Sequence, residues 1–134
     1  MADGKLTLTV VTPEHAVVDR VACDEVTLPT LEGEIGILPG HTPLITLLGI
    51  GVVGYRDGAS RGTVAVREGF AEISSDVVRV LADRAASKET VDRAAAERDR
   101  AAAEKKHLEV VGTEELDQAN ADQEYAEARL KVSN

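Results

Sequence analysis

Large apolar side chains all but stop at residue 86. Val, Ile, Leu, Met, Phe and Tyr number 30 across residues 1–86 and only 8 across residues 87–134, so the core of this chain has to be built from its first part. The remaining 48 positions, 134 less 86, must form an element that needs little core of its own. The expected organisation is a folded domain over residues 1–86 and an appendage over 87–134.

The first part carries strand periodicity. Lys5-Leu6-Thr7-Leu8-Thr9-Val10, Glu25-Val26-Thr27-Leu28 and Thr63-Val64-Ala65-Val66-Arg67 alternate strictly between apolar and polar or small residues, the period of a half-buried strand. Turn formers recur at short intervals, at Thr12-Pro13, Gly40, Asp57-Gly58, Gly62, Gly69 and Ser74-Ser75-Asp76. Many short strands with frequent turns predict an antiparallel β-sandwich. Cys23 is the only cysteine, so no internal disulfide or cysteine zinc site is available and the chain suits a reducing compartment. Buried apolar area, at ~25 cal/mol per Å², has to supply most of the stability.

The second part changes period. Residues 88–106 are almost wholly Ala, Glu, Asp, Lys and Arg, good helix formers apart from Asp. Ser87 is the expected N-cap, with Glu89 and Asp92 in a first turn that faces the positive end of the helix dipole. Val110-Val111-Gly112-Thr113 is the expected break. A second helix then repeats Leu116, Ala119, Gln123, Ala126 and Leu130 at spacings of three and four, a narrow seam for one partner helix. Antiparallel pairing would set Lys105 and Lys106 beside Glu114, Glu115 and Asp117, and Arg129 and Lys131 near Glu89 and Asp92. The whole is therefore an α+β fold, an N-terminal antiparallel β-sandwich followed by a C-terminal two-helix hairpin. So thin a hairpin is expected to hold the sandwich loosely and to be able to swing.

A net charge of −9 disfavours nucleic acid or an anionic lipid surface as the direct partner. With no Trp and one Phe, Phe70, stacking platforms for bases are missing. The first residues have no apolar stretch of a signal peptide and no Arg-rich transit character, and no run approaches the ~18 apolar residues needed to span a bilayer. Direct membrane insertion is not expected.

Candidate chemistry is sparse. Gly49-Ile50-Gly51-Val52-Val53-Gly54 matches the letters of a dinucleotide fingerprint, but Tyr55-Arg56-Asp57-Gly58 comes after it as strand and turn rather than as the helix that would hold a pyrophosphate. The glycines fit close strand packing. His15, His41 and His107 share no ligand spacing with acids, and His107 reads as a solvated residue at a helix C-terminus. No nucleophile elbow or paired base is evident, and no catalytic residue, metal or cofactor is assigned.

The run from Leu31 to Leu44, LEGEIGILPGHTPL, has a physical shape of its own. Gly33, Gly36, Gly40, Pro39 and Pro43 break any helix, so Ile35, Ile37, Leu44, Ile45, Leu47 and Leu48 are expected as buried strand residues and Glu32, Glu34 and His41 near turns. Acids on a tight loop over a packed sheet suit docking onto a partner. This run, with Val10-Val11-Thr12-Pro13, Arg67-Glu68-Gly69-Phe70-Ala71 and Val80-Leu81-Ala82-Asp83, resembles the epsilon subunit of F-type ATP synthases, and the likeness extends over nearly the whole chain. The resemblance implies a non-catalytic rotor subunit of the central stalk. Its sandwich would bind the gamma subunit and the c-ring, with Glu32, Gly33 and Glu34, and His41 nearby, as the c-ring docking loop. Its hairpin would be a regulatory element able to extend toward the alpha/beta catalytic head and brake ATP hydrolysis. The residues implied there are Asp92, Arg93, Arg98, Arg100, Arg129 and Lys131.

Some bacterial family members bind ATP through Ile or Leu, Asp, two residues, Arg, Ala. Here that stretch is Val91-Asp92-Arg93-Ala94-Ala95-Ala96, and Ala95 stands where the arginine belongs, which implies weak or absent ATP binding. The expected setting is peripheral, on the cytoplasmic face of a bacterial inner membrane, with the isolated chain a monomer. A rival reading from a different class is a free-standing sandwich module that oligomerises through the Leu116 to Leu130 seam.

Overall fold

A computed structural model of the chain describes residues 4–109 and 112–134. Eight strands are followed by two helices: β1 (Leu6–Val11), β2 (Ala16–Cys23), β3 (Glu25–Thr30), β4 (Gly33–Ile37), β5 (Leu44–Leu47), β6 (Gly51–Asp57), β7 (Ser60–Ser74), β8 (Val77–Ser87), α1 (Arg93–Glu109) and α2 (Thr113–Ser133). The α+β fold with a β-sandwich and a helical hairpin is the one expected. The strands take the order β2-β1-β8-β7-β6-β3-β4, with β5 added to β7. All ladders but one are antiparallel; β1 and β8 run parallel, from Thr7 opposite Val77 to Val11 opposite Leu81. The alternation in β1 and β3 does what its period requires: Leu6, Leu8, Val10, Val26 and Leu28 are fully buried in the core.

The 15-residue β7 is the longest strand. Its first half pairs with β6 and its second half with β5, while β8 runs beside it along most of its length. The handover between the two partners falls at Glu68 and Gly69, where φ is +61° and +127°. A β-carbon on Gly69 would lie 2.0 Å from the Leu81 carbonyl oxygen, so only glycine fits this bend.

Along β7 the four residues Val64, Ala65, Val66 and Arg67 are all buried. Val64 and Val66 belong to the sandwich core. Ala65, on the opposite face, is covered by Tyr125, Ala128 and Val132 of α2, with Ile50 and Val52 alongside. The hairpin therefore lies folded on the sandwich. Of the expected seam, Ala119 and Ala126 are buried, as are Ala96 and Ala103 on α1, and Gln123 and Leu130 are half-buried. Leu116 is exposed.

Several local expectations are corrected. Ser87 does not cap a helix: it closes β8, and its backbone N–H donates to Thr90 Oγ1 at 2.9 Å. Asp92 is the cap instead, accepting from the Ala95 N–H at 3.0 Å, and α1 has no acid in its first turn. Arg129 pairs with Asp99 in the middle of α1 rather than with Glu89 or Asp92. No ion pair joins Lys105 or Lys106 to α2 among the described residues. His107 is not fully solvated; its Nε2 is shielded from solvent without a hydrogen-bond partner. The expected break at Val110 and Val111 lies outside the described residues. The Gly49 to Gly54 run leads into strand β6 as expected, and a β-carbon on Gly49 or Gly54 would come within 2.8 Å of Thr30 O or Thr27 Oγ1.

A polar corner ties the N-terminal strand to the β6–β7 turn. Lys5 Nζ lies 2.8 Å from Asp24 and also pairs with Asp57, and Asp24 accepts from the Gly58 N–H at 2.7 Å. The Lys5 ammonium, then that N–H, hold the Asp24 carboxyl below its ordinary value. A depressed carboxylate contributes stability above its unfolded pKa and loses it as pH falls through the folded one. Asp24→Asn is thus expected to lower the urea midpoint at pH 7 and to match the parent once pH is taken well below 3.8; a pH-independent gap would contradict the assignment. Gly69→Ala, facing both the overlap and the positive φ, is expected to cost more than about 2 kcal/mol in urea unfolding, and an unchanged midpoint would show that the bend tolerates a side chain.

Candidate functional site

The β3–β4 turn is built by its own hydroxyl. Thr30 Oγ1 donates to the Gly33 carbonyl at 2.5 Å and accepts from the Glu32 N–H at 3.2 Å, while Gly33 takes φ of +123°. This leaves the Glu32 side chain exposed at the tip. It lines a shallow groove together with Leu31, Ile35, Leu44, Ile45 and Leu47.

That groove overturns part of the sequence expectation. Ile37 and Leu48 are buried and Ile35 is half-buried, but Leu44, Ile45 and Leu47 are 36%, 69% and 61% exposed, beside Leu31 at 70%. β5 is an outer strand joined to the sheet through β7, with an isolated bridge from Leu48 to Thr30. The chain here turns Leu48 inward and leaves Ile45 and Leu47 facing out. Phe70, directly opposite Leu47 on β7, extends the strip and is also exposed.

The other residues of the anticipated docking loop are not gathered there. Glu34 lines a different groove, between the β4/β6 side of the sheet and α2, together with Glu124, Glu127 and Lys131. His41 sits past the far end of β4. Its N–H donates to Leu38 O at 3.1 Å and its Nδ1 lies 2.6 Å from Thr42 O, next to a Gly40 N–H donated to Asp76 at 2.7 Å.

The hairpin residues divide similarly. Asp92 caps α1. Arg93 Nη1 donates to Asn134 Oδ1 at 2.7 Å and Ser133 Oγ at 3.1 Å, closing the open end of the hairpin, and its Nε reaches Glu97 at 3.4 Å. Arg100 lies 4.0 Å from Glu104, and Arg98 is exposed. Arg129 donates to Asp99 at 2.7 Å and stacks 4.6 Å from the centre of the Tyr125 ring, which also has Arg84 at 5.2 Å. Burial pushes the Tyr125 phenol up, against the pull of the neighbouring arginines.

Arg67 is the residue that sequence reasoning missed. It ends the alternating run Thr63-Val64-Ala65-Val66-Arg67, only 7% of its side chain is exposed, and its Nη1 meets Asp122 of α2 at 2.7 Å. The signal available was Ala65, a small residue on the outward face two positions earlier, where a helix can sit down.

No group of three or more His, Cys, Asp and Glu side chains is placed to hold a metal among the described residues. The β-sandwich carries an open apolar groove beside an acidic turn and a two-helix hairpin packed over Ala65 of β7. Residues 5–88 match the ATP synthase Delta/Epsilon chain beta-sandwich domain. An ATP synthase epsilon chain of Prochlorococcus marinus is 38% identical over 128 residues, covering 95% of this chain and 96% of the relative. One from Bdellovibrio bacteriovorus is 39% identical over 127 residues, covering 93% and 90%. The chain belongs to the ATP synthase epsilon family. Among solved structures, a chain of the Euglena gracilis mitochondrial ATP synthase OSCP/F1/c-ring assembly shares the fold, with a TM-score of 0.79 at 21% identity over 96% of this chain and 81% of its own. A chain of the Tetrahymena thermophila mitochondrial ATP synthase central stalk and c-ring gives 0.66 at 14% identity, with full coverage of both chains.

Proposed function

We propose that this chain is a rotor subunit in the central stalk of an F-type ATP synthase, that it carries no chemistry of its own, and that it couples c-ring rotation to the catalytic head through contact. The observation that carries this reading is the open apolar strip of Leu31, Ile45, Leu47 and Phe70 beside Glu32. Contiguous exposed apolar side chains of this kind mark docking surfaces, and the family supplies the partners: the gamma subunit along the strip and the polar loops of the c-ring at the Glu32 turn. Glu34 and His41 stand apart from this surface, so the docking loop of the proposal narrows to Glu32 and Gly33. No described helix is long and apolar enough to cross a membrane, and the setting proposed is peripheral, on the cytoplasmic face of a bacterial inner membrane.

The second part of the reading is that the hairpin brakes ATP hydrolysis when it leaves the sandwich and reaches the alpha/beta head. Its small apolar contact with the sandwich supports this, because a two-position element needs a small energy gap. ATP is not taken to set the position. Ala95 lacks the guanidinium of the family pattern, and Arg93 is turned toward Ser133 and Asn134.

The test of docking uses the tagged full chain in membranes. It is expected to recover gamma, c subunits and the catalytic head, and Ile45→Lys with Leu47→Lys is expected to lower that recovery at least tenfold while the isolated variant keeps its stability within about 1 kcal/mol. Undiminished recovery would remove the strip from the interface, and recovery of no synthase subunit even by the parent chain would return it to a free-standing module. Titrating ATP into the isolated chain in a calorimeter is expected to give no saturable heat; tight saturable binding would contradict the role given to Ala95.

A further inference from the structure

Arg67 is a charge buried under α2. It lies on β7 beneath α2, its Nη1 is 2.7 Å from Asp122 Oδ1, and that oxygen also accepts from Gln118 Nε2 at 3.0 Å. Glu68 is its other acid, 3.7 Å from Nε. Around this pair the apolar contact of α2 with the sandwich is narrow, made by Tyr125, Ala128 and Val132 on Ala65, Ile50 and Val52.

We propose that the Arg67–Asp122 pair sets the balance between a docked and a released hairpin. The inference rests on the reading of the hairpin as a movable regulatory element, and the reasoning is one of desolvation. In the docked chain the attraction of Asp122, itself part-exposed, offsets the loss of water around the buried Arg67, and covering a charge against a paired one comes close to breaking even. When α2 lifts away, Arg67 regains the water it lost and Asp122, already part-exposed, gains a little more, so release forfeits little. The intact pair therefore keeps the two positions close in free energy, with the docked one favoured.

Removing one partner has a different effect. Without the Asp122 carboxylate, docking would cover a guanidinium whose nearest acid is the exposed Glu68, and an unpaired buried charge strongly disfavours the state that buries it. The released state has no such penalty. Asp122→Ala thus turns a balanced element into a mostly released one. Replacing both partners by apolar side chains removes the penalty along with the pair, and the docked position returns. Tyr125, beside Arg84 and Arg129, is left unaltered in all these variants.

The experiment places nitroxides at exposed Ser74 and Asn120 of the full chain and reads the distance distribution between them. The parent is expected to show a mainly docked population. Asp122→Ala is expected to raise the ratio of released to docked population at least tenfold, and Arg67→Met with Asp122→Leu to restore the docked distribution. Far-ultraviolet circular dichroism checks that the sandwich remains folded. A docked distribution in Asp122→Ala would overturn the proposal, as would a double variant released as far as the single one. ATP hydrolysis by the assembled synthase separates this from the braking role. Release in Asp122→Ala with unchanged hydrolysis supports the latch and removes the brake. Unmoved distances, with hydrolysis raised by a chain lacking the hairpin, support the brake and remove the latch.

Discussion

The β7–β8 ladder is the constraint on which the rest of this molecule depends. One strand, Ser60–Ser74, pairs with β6 over its first half and β5 over its second, and the change of partner is possible because Gly69 passes within contact of the Leu81 carbonyl. Either side of that bend, the same strand supplies two different surfaces. Ala65 and Arg67 form the bed on which α2 lies, and Phe70 stands opposite Leu47 in the apolar strip. A strand hydrogen-bonded on both sides is stiff, so the apolar strip and the hairpin bed are held in fixed relation.

The hairpin is held differently from the sandwich. The sandwich has fully buried Leu, Ile and Val side chains along its strands, whereas the buried side chains of α1 and α2 are five alanines besides Tyr125 and Val132. Small side chains bury little area, and at ~25 cal/mol per Å² they leave a modest driving force. Polar contacts fill the gap: Arg93 closes the open end of the hairpin, Arg129 joins the two helices through Asp99, and Arg67 joins α2 to the sheet. Such contacts fix position more than they add stability.

Much of the architecture was legible in the chain itself. The strand period in β1 and β3, the collapse of apolar content after residue 86 and the alanine-rich repeats lead to a sandwich and a hairpin without any structure. The differences arise where contacts distant in sequence decide what is covered. Leu44, Ile45 and Leu47 read as buried because they are large and apolar, but β5 is an outer strand, and an apolar residue on such a strand is buried only if something else covers it. The burial of Arg67 is not legible from β7 alone, because the helix residue that pairs with it lies 55 residues away in sequence, and that partner, Asp122, is one acid among many on α2. Ser87 gave way to Asp92 as the helix cap because β8 runs on to pair Ser87 with Val64. Glu32, Glu34 and His41 are close in sequence, but Glu34, on β4, lines the groove beside α2, and His41 lies beyond the far end of β4.

Docking as proposed covers the apolar strip and the Glu32 turn in the working complex. Hydrogen exchange of the chain, free and within purified membrane complex, measures this directly. Slowed exchange at residues 30–34 and 44–48 on assembly, with the outer face of β2 unchanged, is the predicted result. Exchange at those two segments as fast in the complex as in the free chain would contradict the docking surface assigned here.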